Sequence, residues 1–97
     1  MRNYKKYRSI VIDLFQSFLA EKIEKRQLLR GIEDIGDNLR KPRDKDKDLR
    51  FNFTKDDTLS TDIYDIKDDF YNREGKWIKD CMQIAIDNPK ELQIYYS

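Results

Sequence analysis

Apolar residues recur at steps of three and four through the first twenty positions: Tyr4, Tyr7, Val11, Leu14, Phe15 and Phe18. On a helical wheel they fall within about 100° of one another, the width of a stripe that faces a core. Ile10 and Leu19 flank that stripe. The pattern predicts a helix over residues 3–20 with Asn3 as its N-cap. After a short link through Glu21, Lys22 and Ile23, the same period restarts at Leu28, Leu29, Ile32, Ile35 and Leu39 and predicts a second helix over 24–39. Gly31 and Gly36 each weaken that helix by about 1 kcal/mol relative to alanine. Each therefore marks either close packing against the first helix or an earlier helix end. Pro42 closes the segment.

The period then breaks. Lys41 to Asp48 carries no apolar residue except Pro42, and reads as a solvated loop within a charged stretch at 40–56. Leu49, Phe51 and Phe53 alternate with Arg50 and Asn52, a strand pattern. Leu92-Gln93-Ile94-Tyr95-Tyr96 is a second candidate. Segments 49–53 and 92–96 either pair as a two-stranded ribbon or lie separately as extended segments over the helices. A ribbon of two strands needs something to pack on. Leu59, Ile63, Ile66 and Phe70 share one narrow stripe and predict a third helix over 58–71. Trp77, Ile78, Cys81, Met82, Ile84 and Ala85 make a broad apolar face on a fourth, expected to be the most buried, which Asn88-Pro89 stops. The expected fold is mostly α: a single helical domain over residues 1–97, four-helix bundle-like, with the short β ribbon as an addition.

Composition narrows the class. Hydrophobic residues are 38% of the chain and charged residues 40%, a thin core under a highly charged surface. The apolar residues are large, however, and each buried aromatic removes on the order of 150–250 Å² from water. A core can form without a metal or disulfide. The single cysteine, Cys81, cannot make an internal disulfide, which suits a reducing cytosol. Its apolar flanks predict a buried, inert thiol. Net charge is +1, from 20 basic and 19 acidic residues, which does not point to nucleic acid. The basic start precedes an apolar run, but Asp13 and Gln16 interrupt it and no small-residue cleavage site follows. No window reaches the length of a membrane span, and the cytoplasm is the expected location.

Candidate chemistry is sparse. The chain has no histidine and one cysteine, which removes most Ser/Cys–His catalysis and the usual zinc sites. No glycine loop cradles a phosphate. Asp44, Asp46 and Asp48 imitate the opening of a calcium-binding EF loop, but Leu49 stands where glycine is needed and Lys55 where glutamate is needed. Nothing singles out two carboxylates with divergent pKa values. The expectation is a non-enzyme with no cofactor and no metal.

The acids are unevenly spread. Asp56, Asp57, Asp62, Asp65, Asp68 and Asp69 cluster in the third quarter of the chain. On the third helix Asp62, Asp65 and Asp69 share one flank of the apolar stripe, with Asp68 beyond; Tyr64 and Tyr71 lie on the other flank. Glu33, Asp34 and Asp37 occupy the outer side of the second helix. As solvated helix faces these residues need no partner. As a surface, acid beside exposed tyrosine steers and grips a basic protein. Basic groups also occur, around Arg2, Lys5, Lys6 and Arg8, around Lys22, Lys25, Arg26 and Arg30, and at Arg40, Lys41 and Arg43. No recognition-helix or base-stacking pattern accompanies them.

The run from Tyr7 to Glu24, and within it Phe18-Leu19-Ala20-Glu21-Lys22-Ile23, resembles the opening of colicin D-type bacterial immunity proteins, in which a first helix ends in such a phrase and a second follows at once. The resemblance covers about the first quarter of the chain. It implies a small, cytoplasmic, helical, non-enzymatic protein that binds and blocks the nuclease domain of a toxin, an RNase being the expected target. Contact-dependent inhibition systems use immunity proteins of similar size. It assigns no contact residue, so the acidic candidates stand on the residue pattern alone. Two further readings remain open: a phage- or plasmid-encoded adaptor that inhibits a host protein, and a nucleic-acid-binding regulator.

Overall fold

The computed structural model describes residues 4–56 and 58–97. Among these residues four α-helices form: α1 (Tyr4–Leu19), α2 (Lys25–Leu39), α3 (Ile63–Asn72) and α4 (Lys76–Asp87). Three short strands, β1 (Leu49–Asn52), β2 (Ser60–Asp62) and β3 (Gln93–Tyr96), make an antiparallel sheet in the order β2-β1-β3. The chain is thus mostly α with a small sheet. The expected ribbon exists, with Phe51 opposite Ile94 and Arg50 opposite Tyr95. The expected N-cap Asn3 and the side chain of Tyr4 lie outside the described residues.

One core joins the helices to the sheet. Val11, Phe15, Leu28, Ile32, Phe51, Phe53, Ile66, Ile78, Met82 and Leu92 are essentially inaccessible to water. Phe53 anchors the sheet to α1, its ring centroid 6.3 Å from that of Phe15. Of the two alternatives for Gly31 the structure takes close packing: a Cβ there would lie 2.9 Å from Leu14 Cδ1 on α1. Gly36 instead meets Leu49 and Tyr96, so the sheet, not α1, sets its size. The Tyr96 hydroxyl donates to the Gly36 carbonyl, which ties β3 to α2. Burial raises the pKa of that hydroxyl.

Four expectations need correction. The stripe of α1 faces the core as expected, with Val11 and Phe15 buried and Tyr7, Leu14 and Phe18 packed against them, but its flank is Ile12 and not Ile10, because the turn Pro89–Glu91 and β3 pack on that side. The third helix starts at Ile63 rather than 58, since Ser60–Asp62 pairs with β1 and Asp62 caps the helix by accepting from the Asp65 N–H at 2.8 Å. Trp77 is 43% exposed, so α4 buries Ile78, Cys81, Met82 and Ala85 but not its tryptophan. The stretch after α2 is not simply solvated. Pro42–Asp44 forms a turn of 3₁₀ helix, and Asp44, only 3% exposed, accepts from the Lys41 N–H. Arg40 donates to the Asp44 carbonyl from the other side.

Cys81 is buried as expected, and burial pushes its thiol up to about 11, with Asp80 and Asp69 adding to the effect. A thiol so displaced stays protonated and unreactive at neutral pH. Among the described residues, no helix is long and apolar enough to cross a membrane.

Candidate functional site

The nine acidic and tyrosine candidates fall into three groups once α2 and α3 are packed. The first group comes together. Tyr64, Lys67 and Tyr71 stand three and four residues apart on α3 and so share the stripe that looks towards α2. Glu33, Asp34 and Asp37 lie across from them on α2. Two adjoining grooves run between the helices. One is lined by Glu33, Asp34, Asp37 and Tyr71 and also by the cations Arg26, Arg30 and Lys67; the other is lined by Glu33, Asp37, Asp48 and Tyr64 with Arg40, Lys67 and, from the sheet, Tyr96. Lys67 sits between them, paired with Glu33 and 5.8 Å from the Tyr64 ring centroid. Lys67 was not anticipated by the wheel, which placed acids and tyrosines but not the lysine that joins them.

Tyr64 and Tyr71 are 61% and 60% exposed, although both are large side chains on a helix whose other face is core. Most of their area is available to a partner. Asp34 and Asp37 are also exposed, while Glu33 is half-buried against Lys67.

The second group, Asp65 and Asp68, is exposed but lines neither groove. Asp68 accepts from the Asn72 amide one turn on. The third group is structural. Asp62 is the α3 cap and lies 3.7 Å from Arg50 on β1. Asp69 is 7% exposed and cannot meet a partner; its carboxylate faces the Ile78 N–H of α4 at 3.4 Å, and its carbonyl accepts from Gly75. The flank on which Asp69 was expected to stand free is the flank against which α4 begins. Of the other acids, Asp57 lies outside the described residues, and the hydroxyls of Thr58 and Thr54 hold the exposed Asp56 below the usual carboxylate range.

The basic residues do not merge into one patch. Arg8 donates to the Leu92 carbonyl at 2.9 Å, and Arg40 lies 4.6 Å from the Tyr96 ring centroid. Arg2 and the side chain of Lys5 lie outside the described residues. Comparison with known proteins finds no matching family model, no matching curated protein and no matching solved structure.

Proposed function

We propose that this chain is a cytoplasmic, non-enzymatic immunity protein. It binds the nuclease domain of a bacterial toxin and blocks the substrate cleft with its α2–α3 face. The observation that carries the reading is the placement of two exposed tyrosines beside three α2 carboxylates along two adjoining grooves. A nuclease cleft is built for phosphates and is therefore basic. Glu33, Asp34 and Asp37 meet that charge, and Tyr64 and Tyr71 supply the area that excludes water around it. Asp65 and Asp68 flank the groove and add to the attraction at longer range. The whole chain is nearly neutral, and Arg26, Arg30 and Lys67 line the same groove, so the attraction has to come from the exposed carboxylates of Asp34 and Asp37 rather than from net charge. The helical opening through Phe18-Leu19-Ala20-Glu21-Lys22-Ile23 supports the same reading by its resemblance to immunity proteins.

The test is co-expression with the toxin encoded by the neighbouring gene. The parent chain should co-purify with that toxin and restore growth. Asp34→Lys with Asp37→Lys, and separately Tyr71→Ala, should each weaken the complex by about tenfold or more, since central tyrosines cost more than about 1 kcal/mol on truncation. The association rate should also fall steeply with salt. A neighbouring toxin that is neither retained nor inhibited would sink the proposal, as would full protection by the charge-reversed double variant.

A further inference from the structure

Strand β3 pairs with β1 on one side, and its other side is an edge of the sheet. Asp48 and Ser97 exchange both backbone hydrogen bonds, each at 3.0 Å. Bonded and non-bonded pairs alternate along an antiparallel ladder, so the next bonded pair is Arg50 with Tyr95. Leu49–Tyr96 and Phe51–Ile94 are the non-bonded pairs on either side of it. Ile94 and Tyr96 therefore turn their backbone N–H and C=O groups away from β1, towards the open edge. No other group among the described residues hydrogen-bonds to them. The Leu92 carbonyl has the same parity, but Arg8 of α1 fills it by donating at 2.9 Å. A cavity of about 270 Å³ runs beside this edge, lined by Arg8 and by Leu92, Gln93, Ile94 and Tyr95.

An unpaired edge is a template for another strand, and proteins guard such edges with lysine, proline or a bulge. Gln93-Ile94-Tyr95-Tyr96 contains no charge and no proline. Its isoleucine and tyrosines favour the extended chain. The free stretch is also symmetric. Its bonding groups stand at Ile94 and Tyr96 with Tyr95 between them, and Arg8 closes the stretch at the Leu92 end. When a copy of this stretch is turned end for end about Tyr95, Ile94 comes opposite Tyr96 and Tyr96 opposite Ile94. Every free group of both strands then finds a partner, and Arg8 keeps its bond to Leu92. A foreign strand would meet the same groups, but this match needs no sequence besides the chain's own.

We propose that the chain forms a two-fold dimer by antiparallel pairing of β3 with β3 of a second copy, joining the two sheets into one. The cavity beside Leu92 to Tyr95 receives the backbone of the incoming strand. Tyr95 lies on the two-fold axis, in a non-bonded pair with Tyr95 of the second copy. That is the geometry in which cross-strand side chains come closest. Within each copy Tyr95 already stands beside Arg50, and Arg50 beside Asp62 at 3.7 Å. The dimer continues that row across the axis. Its two Arg50 residues are three strand spacings apart, about 14 Å, beyond the screening length of about 8 Å at physiological ionic strength. The pairing uses none of Glu33, Asp34 and Asp37 and does not rest on the immunity reading.

Sedimentation equilibrium of the full chain from micromolar to millimolar concentration tests this, and a reversible monomer–dimer equilibrium is expected. Amide hydrogen exchange at Ile94 and Tyr96 should slow as concentration rises. The Tyr95 amide, bonded to β1 throughout, should not change. In a mixture of ¹³C-labelled and unlabelled chains, an intermolecular NOE should join the Hα protons of Tyr95 in the two copies. Tyr95→Lys sets like charges face to face and should raise the dissociation constant about tenfold or more at low salt. Circular dichroism of the dilute variant establishes that its monomer is folded, and the exchange and NOE measurements on the parent need no variant. Asp34→Lys with Asp37→Lys should dimerise like the parent, which keeps this result separate from the toxin-binding test. A monomer at every concentration overturns the proposal and leaves the edge to a foreign strand. So does a dimer whose Ile94 and Tyr96 amides exchange as in the monomer, or one that a folded Tyr95→Lys variant forms as tightly as the parent.

Discussion

Helices α2 and α3 pack against each other, yet their charges run in opposite order. In α3 the acids come first: Asp62 caps the helix and Asp65 stands in its first turn. In α2 Glu24 caps the helix, but the bases Lys25, Arg26 and Arg30 come next and the acids Glu33, Asp34 and Asp37 only after them. A helix favours the order seen in α3, by about 0.3–1 kcal/mol for each well-placed charge. The opening acids of α3 are therefore accounted for by folding. Beyond its cap the charge order of α2 opposes the helix dipole. Inside the molecule Glu33 pairs with Lys67 of α3, and the proposed interface draws on Asp34 and Asp37.

The comparison can be broken most severely at Asp69. This acid shares a flank with Asp65 on α3 but is buried where α4 begins. Asp69→Lys should destabilise the fold by more than about 3 kcal/mol, because it places an unpaired charge in the interior and removes the acceptor for Ile78. Asp65→Lys should cost less than about 1 kcal/mol, an exposed first-turn effect. Urea denaturation of the two variants measures the gap, and equal losses would mean that Asp69 is no more structural than its neighbour. A smaller effect is expected at the cap. Asp62→Ala should cost about 1 kcal/mol and lower the melting temperature, as loss of an N-cap does. The smallest effect has the opposite sign. Lys25→Glu should stabilise the chain by about 0.5 kcal/mol at low ionic strength, and the gain should fade in high salt. A destabilised Lys25→Glu variant would show that the contact of Lys25 with the Tyr71 ring, 4.7 Å from its centroid, outweighs the repulsion at the helix start.

Much of the fold is legible in the spacing of apolar residues, because three of the four helices repeat their buried positions over several turns. Strand β2 is not legible in that way. Ser60-Thr61-Asp62 has no apolar alternation, and its conformation depends on pairing with β1 and on the cap that Asp62 supplies. Asp44 did leave a signal. Proline at the first position of the turn and an acid two residues later form a capping pattern, although the surrounding lysines and aspartates suggest only solvent. Burial of Asp69 left none, since a helical wheel describes one helix and not the place where the next one starts. The acids of the candidate groove could be found one helix at a time. Their approach to Tyr64 and Tyr71 across Lys67 depends on how α2 and α3 pack, which no local pattern encodes.

The central place of β1 has a kinetic consequence. Its partner β3 lies some forty residues further along the chain, and Phe51 meets Ile94 only after α3 and α4 have been made. Contacts of such sequence separation are slow to form because the intervening chain must first be closed into a loop. During synthesis the two helices of the opening hairpin can associate early, while β1 waits with one edge unpaired and Phe51 and Leu49 without cover. That interval is when the chain is most exposed to misassociation, and changes that weaken the hold of Tyr96 on Gly36 would lengthen it.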